Sequence, residues 1–445
     1  MTMDRSTRVD RALPGLFDQL AEARTPDYLE AAIERASSRP QRPTWTFAGR
    51  WLPVELTSAR VPATRMPMRQ LGVLALIAIL VAAALAVYVG SHQQKLPAPF
   101  GPAANGLIPF EQGGDIYVGD LATGQTRLIA GGPEHDWGAS FSYDGSQLGF
   151  IRDVPPGVGG VPDADIYVVR PDGSGLRKVN AKPIRDLKYA NYTPDGRMAI
   201  IQPGRPSAGC GAVTTCSVNQ MEIVPTFGNE PTQRFPMEEG IIEITWRPPD
   251  GRQILYLGVK DGKYGLFVMG ADGSDPHAIS PLEEGTDPGL DFGNFVYSGD
   301  GNRIFFQKWT DDASDGERGC CQMYTMNADG SDYHEFIQNP GTSWDGVARV
   351  SPDGTRIAFW RDPLTGPTNG IAVIRADGTG PIIQTGPVLS GTAHFWWSPD
   401  STKILMFPDD STVTNAFLLD PNGGDWTTVP WKSGPDIDWQ RIATN

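Results

Sequence analysis

The sequence predicts an all-β fold, a seven-bladed β-propeller, preceded by one transmembrane helix and a short helical segment. Three observations predict it. A turn of the form Ser-Pro-Asp-Gly recurs at intervals of about 40–55 residues, a second Asp-Gly turn sits at a fixed place inside the intervals, and one long apolar run stands near the start of the chain. Gly and Pro are abundant, 52 and 39 of 445 residues, yet the chain also holds 12 Trp, 12 Tyr and 18 Phe. A disordered chain this rich in Gly and Pro would be poor in aromatics. Many tight turns between short, aromatic-rich strands account for both.

The first element is residues 1–68. Thr25-Pro26-Asp27 is a helix-start signal, with Thr as cap, Pro at the first helical position and Asp early against the helix dipole, so residues 13–37 are expected to be largely helical. Tyr28, Leu29, Ala32 and Ile33 then form an apolar stripe, and Trp45, Phe47, Trp51, Leu52 and Val54 are too apolar for a plain tether. So few residues do not easily build a free-standing core. The segment is expected to fold on a protein partner or lie on a membrane surface, where its Arg residues would meet anionic lipid.

Residues 69–90 are expected to be the transmembrane helix. Leu71–Val89 contains no charge and no Pro, and its length spans about 28 Å of helix, close to the hydrocarbon thickness of a bilayer. The run begins too far into the chain, and is too long, for a cleaved signal peptide. Arg60, Arg65 and Arg69 precede it, whereas only Lys95 is charged just after it. The positive-inside rule therefore places the N-terminal segment in the cytoplasm and residues 91–445 outside, making a single-pass protein of the cell membrane. Residues 91–105, with Pro97, Pro99 and Pro102, read as a stiff linker.

The propeller is expected over residues 106–442. Its first turn appears as Ser142-Tyr143-Asp144-Gly145, Thr193-Pro194-Asp195-Gly196, Pro248-Pro249-Asp250-Gly251, Ser298-Gly299-Asp300-Gly301, Ser351-Pro352-Asp353-Gly354 and Ser398-Pro399-Asp400-Ser401. Pro presets φ, Asp bonds back to the backbone, and Gly accepts positive φ. An apolar, mostly aromatic residue precedes these turns, as with Phe141, Tyr192, Tyr297 and Trp397. A strand follows, then a variable loop, then a strand such as Asp165-Ile166-Tyr167-Val168, and then the second turn, as in Ala328-Asp329-Gly330. Four strands per unit result, and six units are complete. The seventh is split: Gly106–Gly132 supplies three strands, and Asp436–Gln440 at the chain end supplies the innermost, with Trp439 in the place of Trp397. Such closure leaves no free sheet edge.

With its aromatic-Ser-Pro-Asp-Gly turn and its Ile-Tyr-Val strand leading to Asp-Gly, the pattern resembles the TolB-type, WD-repeat-like propeller proteins over about residues 103–442. The resemblance implies a binding platform, a receptor or an accessory domain of an enzyme. Several hydrolases carry such a propeller beside an α/β-hydrolase domain, which is not expected here because the chain stops at the ring closure. Residues 13–53, with Leu-Pro-Gly-Leu-Phe-Asp, Arg-Thr-Pro-Asp-Tyr-Leu and Arg-Trp-Leu-Pro, resemble the leader of bacterial membrane proteins akin to anti-sigma factors. That resemblance implies that residues 13–37 contact a sigma factor. The zinc-type motif of one His and two Cys is missing, since residues 1–70 contain neither residue type.

Charge narrows the function. Residues 1–70 carry a net charge of about +3 and the remainder about −18; an acidic domain of that size repels phosphate, so nucleic acid is not an expected partner. No Gly-x-Ser-x-Gly elbow, His-Glu-x-x-His pair or cofactor motif is found, and neither an enzyme nor a cofactor is expected. His277 and His334 follow equivalent turns and read as repeat-related surface residues. His135 and His394 are placed to approach the central channel, and a metal-dependent glycan lyase would need a cluster of His there. The candidate ligand site is the rim that carries the long loops, Asp153–Ala164, Pro203–Asn219, Trp309–Cys321 and Asp362–Asn369. It collects Asp136, Trp137, Asp186, Glu243, Asp287, Asp291, Trp344, Asp345, His394 and Asp438. Acids interleaved with Trp suit a cationic or sugar-like ligand; they equally suit turn capping and gap filling.

Asp311, Asp312, Asp315 and Glu317 miss the spacing of a calcium loop and read as a solvated acidic stretch. Of the four Cys, Cys210 and Cys216 are the preferred disulfide in an oxidising compartment, and Cys320–Cys321 would be a strained vicinal bridge or stay reduced. The expected function is an extracytoplasmic binding or sensing platform that signals to a cytoplasmic partner such as a sigma factor. The alternatives are a structural envelope scaffold and a metal-dependent glycan lyase or hydrolase.

Overall fold

The structure is a computed structural model that describes residues 76–81, 96–155, 163–185, 187, 189–206, 217–228, 231–235, 241–261, 263–283, 292–308, 322–337, 343–363, 369–389, 391–409, 413–434 and 437–444. The chain divides into two units, Met1–Gln93 and Gln94–Asn445. In the first, residues 76–81 are helical, and Leu76, Ile77, Ile79, Leu80 and Val81 are all about half exposed or more. Among the described residues no helix is long and apolar enough to cross a membrane. The rest of the expected span, the helices expected in residues 13–37, the acidic stretch at Asp311–Glu317 and all four Cys lie outside the described residues.

The second unit is a seven-bladed β-propeller. Six blades are four-stranded antiparallel meanders whose inner strands are Asp136–Phe141, Tyr189–Tyr192, Ile241–Trp246, Phe292–Tyr297, Ser343–Val350 and Ala393–Trp397; we number these blades 2 to 7. In blade 2 an extra short strand, Ile184–Arg185, also pairs with Asp163–Val169. Blade 1 holds Ile108–Gln112, Asp115–Gly119 and Thr126–Ala130. The chain end closes it: Ala104 and Asn105 pair with Ile442 and Arg441, and the Gly106 N–H donates to the Gln440 carbonyl at 2.9 Å. The Gln440 N–H donates to the Leu107 carbonyl at 2.8 Å. The expected seam is therefore present, with its regular ladder at 441–442, slightly beyond the expected 436–440.

The core is a set of seven layers, each lying between two blades. Along Gln253–Lys260 of blade 4, Ile254 and Tyr256 pack with Ala199, Ile201 and Ile223 of blade 3, while Leu255 and Leu257 pack with Phe295, Tyr297 and Phe306 of blade 5. Period-2 alternation thus buries both faces, which is why these strands are almost wholly apolar. The last layer joins Leu405 and Phe407 of blade 7 to Ile108, Phe110, Ile437 and Trp439 of blade 1 and completes the ring.

The Asp-Gly turns fasten neighbours. In blade 5 the Ser298 hydroxyl donates to Asp300 Oδ1 at 2.5 Å, and the Asn302 N–H donates to the same oxygen at 3.1 Å. Gly301 then has φ 71°, and a Cβ there would lie 2.1 Å from the Pro248 carbonyl oxygen of blade 4. Glycine is required both by conformation and by contact. The aromatic residue before the turn reaches sideways, as when Trp397 Nε1 donates to the Arg349 carbonyl of blade 6 at 2.8 Å.

Three expected loops are partly strand. The ladder continues through Pro203↔Asn219 and Pro206↔Ser217 in blade 3, through Val154↔Asp163 in blade 2, and through Trp344↔Asp362 and Ser343↔Pro363 in blade 6. The inner strands themselves carry register shifts at Trp137/Ser140, Ile241/Glu243, Gly293/Val296 and Gly346/Arg349. Bulges of this kind bend a strand and re-aim its side chains; in blade 6 the bulge holds Val347 at φ 54°, a rare conformation for a β-branched residue.

Candidate functional site

Alternation along the inner strands sends every second residue to the axis. Phe395 and Trp397 are buried between blades, while His394 is exposed and Trp396 half-exposed. The axial position just before the turn aromatic is Asp438, Ser140, Asn191, Thr245, Val296, Arg349 and Trp396 around the ring. A cavity of about 530 Å³ opens among them, lined by Gly138–Tyr143 of blade 2, Ala190 and Asn191 of blade 3, His394 and Trp396 of blade 7, and Ile437–Trp439 with Arg441 of blade 1.

The linker closes the turn end of this channel. Arg441 donates from Nη2 to the Gly101 and Ala98 carbonyls at 2.6 and 3.1 Å, and from Nε to the Tyr143 carbonyl at 3.0 Å. The Phe100 ring meets Tyr143 edge-on at 5.2 Å and packs on the layer between blades 3 and 4. The Ala103 N–H is tied to the Pro399 carbonyl at 2.9 Å. Residues 98–103 therefore cross the turn end of the ring.

The electrostatics of the lumen are unusual. Asp438 Oδ2 accepts the Phe141 N–H at 2.8 Å and Oδ1 accepts the Trp439 N–H at 2.7 Å. Burial pushes its carboxyl up to about 6, against the pull of those two N–H groups and of Arg441. Burial likewise pushes the Tyr143 hydroxyl up to about 12, with Arg441 opposing. Further round, burial raises Glu243, although the Arg349 charge and the Asn294 N–H favour its ionised form. Burial lowers Arg349, and Glu243 partly restores it.

The sequence-selected residues separate into distinct groups. Asp136 and Asp345 are not open to a ligand at the rim, which corrects that expectation: both are fully buried. Each is held by two bonds from the Arg facing it on the next strand, Arg152 at 2.6 and 2.7 Å and Arg361 at 2.7 and 2.6 Å. Trp137 donates from Nε1 to Asp153 at 2.9 Å, and His135 bonds the other oxygen of Asp153 at 3.1 Å. Trp344 is half-buried opposite Asp362. Glu243 faces the lumen but does not line the cavity. His394 and Asp438 do line it together. Asp186, Asp287, Asp291, Cys210 and Cys216 lie outside the described residues.

His394 is held by Asp409 at 3.1 Å, a different carboxylate from that of His135, and no group of three or more His, Cys, Asp or Glu able to hold a metal occurs among the described residues. His277 and His334 bond the carbonyls of Asp275 and Asp332 in the same way, at 2.9 and 2.8 Å, so they are repeat equivalents. Trp396, Arg441, Asn191 and Arg349 went unselected in the sequence. The signal for three of them was available: each stands one place before an apolar residue that leads into a turn.

No family model and no curated protein sequence matches the chain. Among solved structures, it is similar to an oligogalacturonate lyase in complex with manganese, at 12% identity and TM-score 0.51 over 75% of this chain and 85% of that one. It is similar to a prolyl endopeptidase at 14% identity and TM-score 0.51, over 86% of this chain and 56% of that one. It is also similar to TolB from Acinetobacter baumannii, at 12% identity and TM-score 0.42, over 80% of this chain and 70% of that one. At such identities what the first two share with this chain is the propeller fold.

Proposed function

We propose that the protein is a single-pass membrane protein whose extracytoplasmic propeller binds a ligand in its central funnel. On this reading the N-terminal segment meets a cytoplasmic partner such as a sigma factor. The observation that carries the reading is the cavity. Its wall includes Tyr143 and Arg441, which meet linker residues 98–101, and it holds a half-buried carboxylate and a half-exposed indole. Small-molecule sites have this size, and polar groups on the wall give them specificity. The apolar run at Leu71–Val89 and its flanking Arg residues support the membrane part.

The test uses the full-length chain in its native membrane with a photo-crosslinking residue at position 394, at the cavity wall, or at position 277, on an outer strand. A discrete adduct at 394 that is absent at 277 supports the funnel as the binding site. Equal labelling at both positions would overturn it.

A further inference from the structure

We infer that the funnel takes an organic monocation, a primary or quaternary ammonium, with its charge at the Asp438 carboxylate and its hydrocarbon part against the Trp396 indole. The inference rests on the funnel being the ligand site and names what it takes.

Charge comes first. Among the described residues, Asp438 supplies the cavity wall with its one carboxylate. Its bonds come from two backbone N–H groups, one to each oxygen, so each oxygen keeps acceptor capacity on the lumen side. Arg441 stands beside it but directs its donors at the Tyr143, Ala98 and Gly101 carbonyls. The other charged or titratable groups that face this region are Tyr143 and Tyr189, both neutral across the working range because burial raises them, and His394, which is bonded to Asp409. Arg349, level with Asp438 in blade 6, is faced by Glu243 across the lumen. A buried carboxylate without a bonded cationic side chain is stabilised by any cation that enters. The net charge of −15 draws cations towards the ring.

Shape and surface then choose among cations. A cavity of about 530 Å³ is far larger than a bare metal ion requires. No metal-holding cluster occurs among the described residues. Where the other inner strands offer Ser140, Asn191, Thr245 or Val296, blade 7 offers Trp396, backed by the His394 ring at 6.1 Å and 16°. An indole face beside a carboxylate is the pairing that holds alkylammonium groups, through the ring quadrupole and through burial of their methylene or methyl groups. Neutral Ser140 and Asn191 complete the wall without adding a competing charge.

The experiment titrates the full-length protein in lipid nanodiscs with choline, with butylamine and with galactose, reading Trp fluorescence and heat. At pH 8 choline or butylamine is expected to saturate the signal while galactose gives none. Because the Asp438 carboxyl sits near 6, affinity should fall about tenfold between pH 8 and pH 5. Asp438→Asn should weaken binding at least about tenfold at pH 8 and remove the pH dependence. Asn191→Asp, whose carboxylate can still accept the Tyr192 N–H now taken by Asn191 Oδ1, should tighten it severalfold. Thermal midpoints show that each variant is folded. Saturation by galactose, unchanged affinity in folded Asp438→Asn, or weaker binding in Asn191→Asp would each overturn the inference. A flat cation titration alongside a specific adduct at position 394 would overturn the ligand class and leave the funnel as the binding site. Loss of both would remove the site itself.

Discussion

Blades 6 and 1 each carry a carboxylate on the inner strand, fully buried in blade 6 and half-buried in blade 1, and hold it in opposite ways. Blade 6 is one continuous stretch of chain. Its Asp345 meets the Arg361 guanidinium with both oxygens, and the Arg lies over the Phe359 ring at 5.4 Å. Blade 2 repeats the arrangement with Asp136, Arg152 and Tyr167. Blade 1 is assembled from both chain ends, and its Asp438 accepts backbone N–H groups alone from its bonded neighbours. In one blade the charge is spent on the fold; in the other it is kept at a cavity wall at a cost to the fold. What separates an ion-paired acid from an acid at the cavity wall here is the residue opposite on the next strand, Arg361 in one case and an irregular seam in the other.

The largest effect should come from breaking the blade 6 pair. Asp345→Ala leaves a largely buried guanidinium without its partner and a cavity where the buried acid stood, and such a loss costs about 3 kcal/mol. A thermal midpoint unchanged in Asp345→Ala would show that the pair is idle. The second effect separates a seam from an ordinary junction. A Cβ on Gly145 would lie 2.1 Å from the Arg441 carbonyl oxygen, just as one on Gly301 would from that of Pro248. Both substitutions should cost about 2–4 kcal/mol, from the left-handed φ and the overlap. Only Gly145→Ala presses on a chain end, so it alone should expose residues 441–444 to protease. Equal exposure in Gly301→Ala would mean that the seam is no weaker than the continuous junctions.

The third effect has the opposite sign. The folded-state carboxyl of Asp438 is raised above its unfolded value, so the folded form holds its proton longer, and stability falls as pH rises from about 4 through 6. Asp438→Asn removes the charge but keeps one acceptor oxygen, so one of the two N–H bonds is lost at every pH. Its stability relative to the parent protein should therefore rise by about 2 kcal/mol between pH 4 and pH 8. The turn carboxyls run the other way. The Ser298 hydroxyl and the Asn302 N–H hold Asp300 below the usual range, so its contribution is present above about pH 4 and lost as pH falls through its lowered value. Thermal midpoints of the two proteins at pH 4, 6 and 8 check this; parallel curves would mean that Asp438 is not perturbed.

The same contrast explains what the sequence made legible. Turns are local: Ser298, Asp300 and Gly301 carry their geometry within four residues, so blade number, strand order and the split blade could be read directly. The partners of Asp136 and Asp345 stand 16 residues away across a strand pair. Both acids therefore looked like rim acids until the register put Arg152 and Arg361 opposite them. Trp396 and Arg441 were passed over because their importance depends on which residues meet at the axis, a property of the closed ring. Asp438 was selected for its charge, but its burial could only come from the seam.

The smallest effect tests how the closed end of the funnel is made. Phe100 is half-buried, so Phe100→Ala removes only part of a ring's burial and should cost about 1–2 kcal/mol. The linker is also gripped by Arg441 through the Ala98 and Gly101 carbonyls and by the Ala103 N–H bond to Pro399. Those bonds do not involve the Phe100 ring. Hydrogen exchange at the Ala103 and Gly106 amides should therefore stay slow in Phe100→Ala, while Arg441→Ala speeds it. If exchange accelerates equally in the two variants, the ring of Phe100 holds the linker in place. The end of the funnel would then be a plug seated by apolar contact, and the hydrogen bonds of Arg441 would be secondary to it.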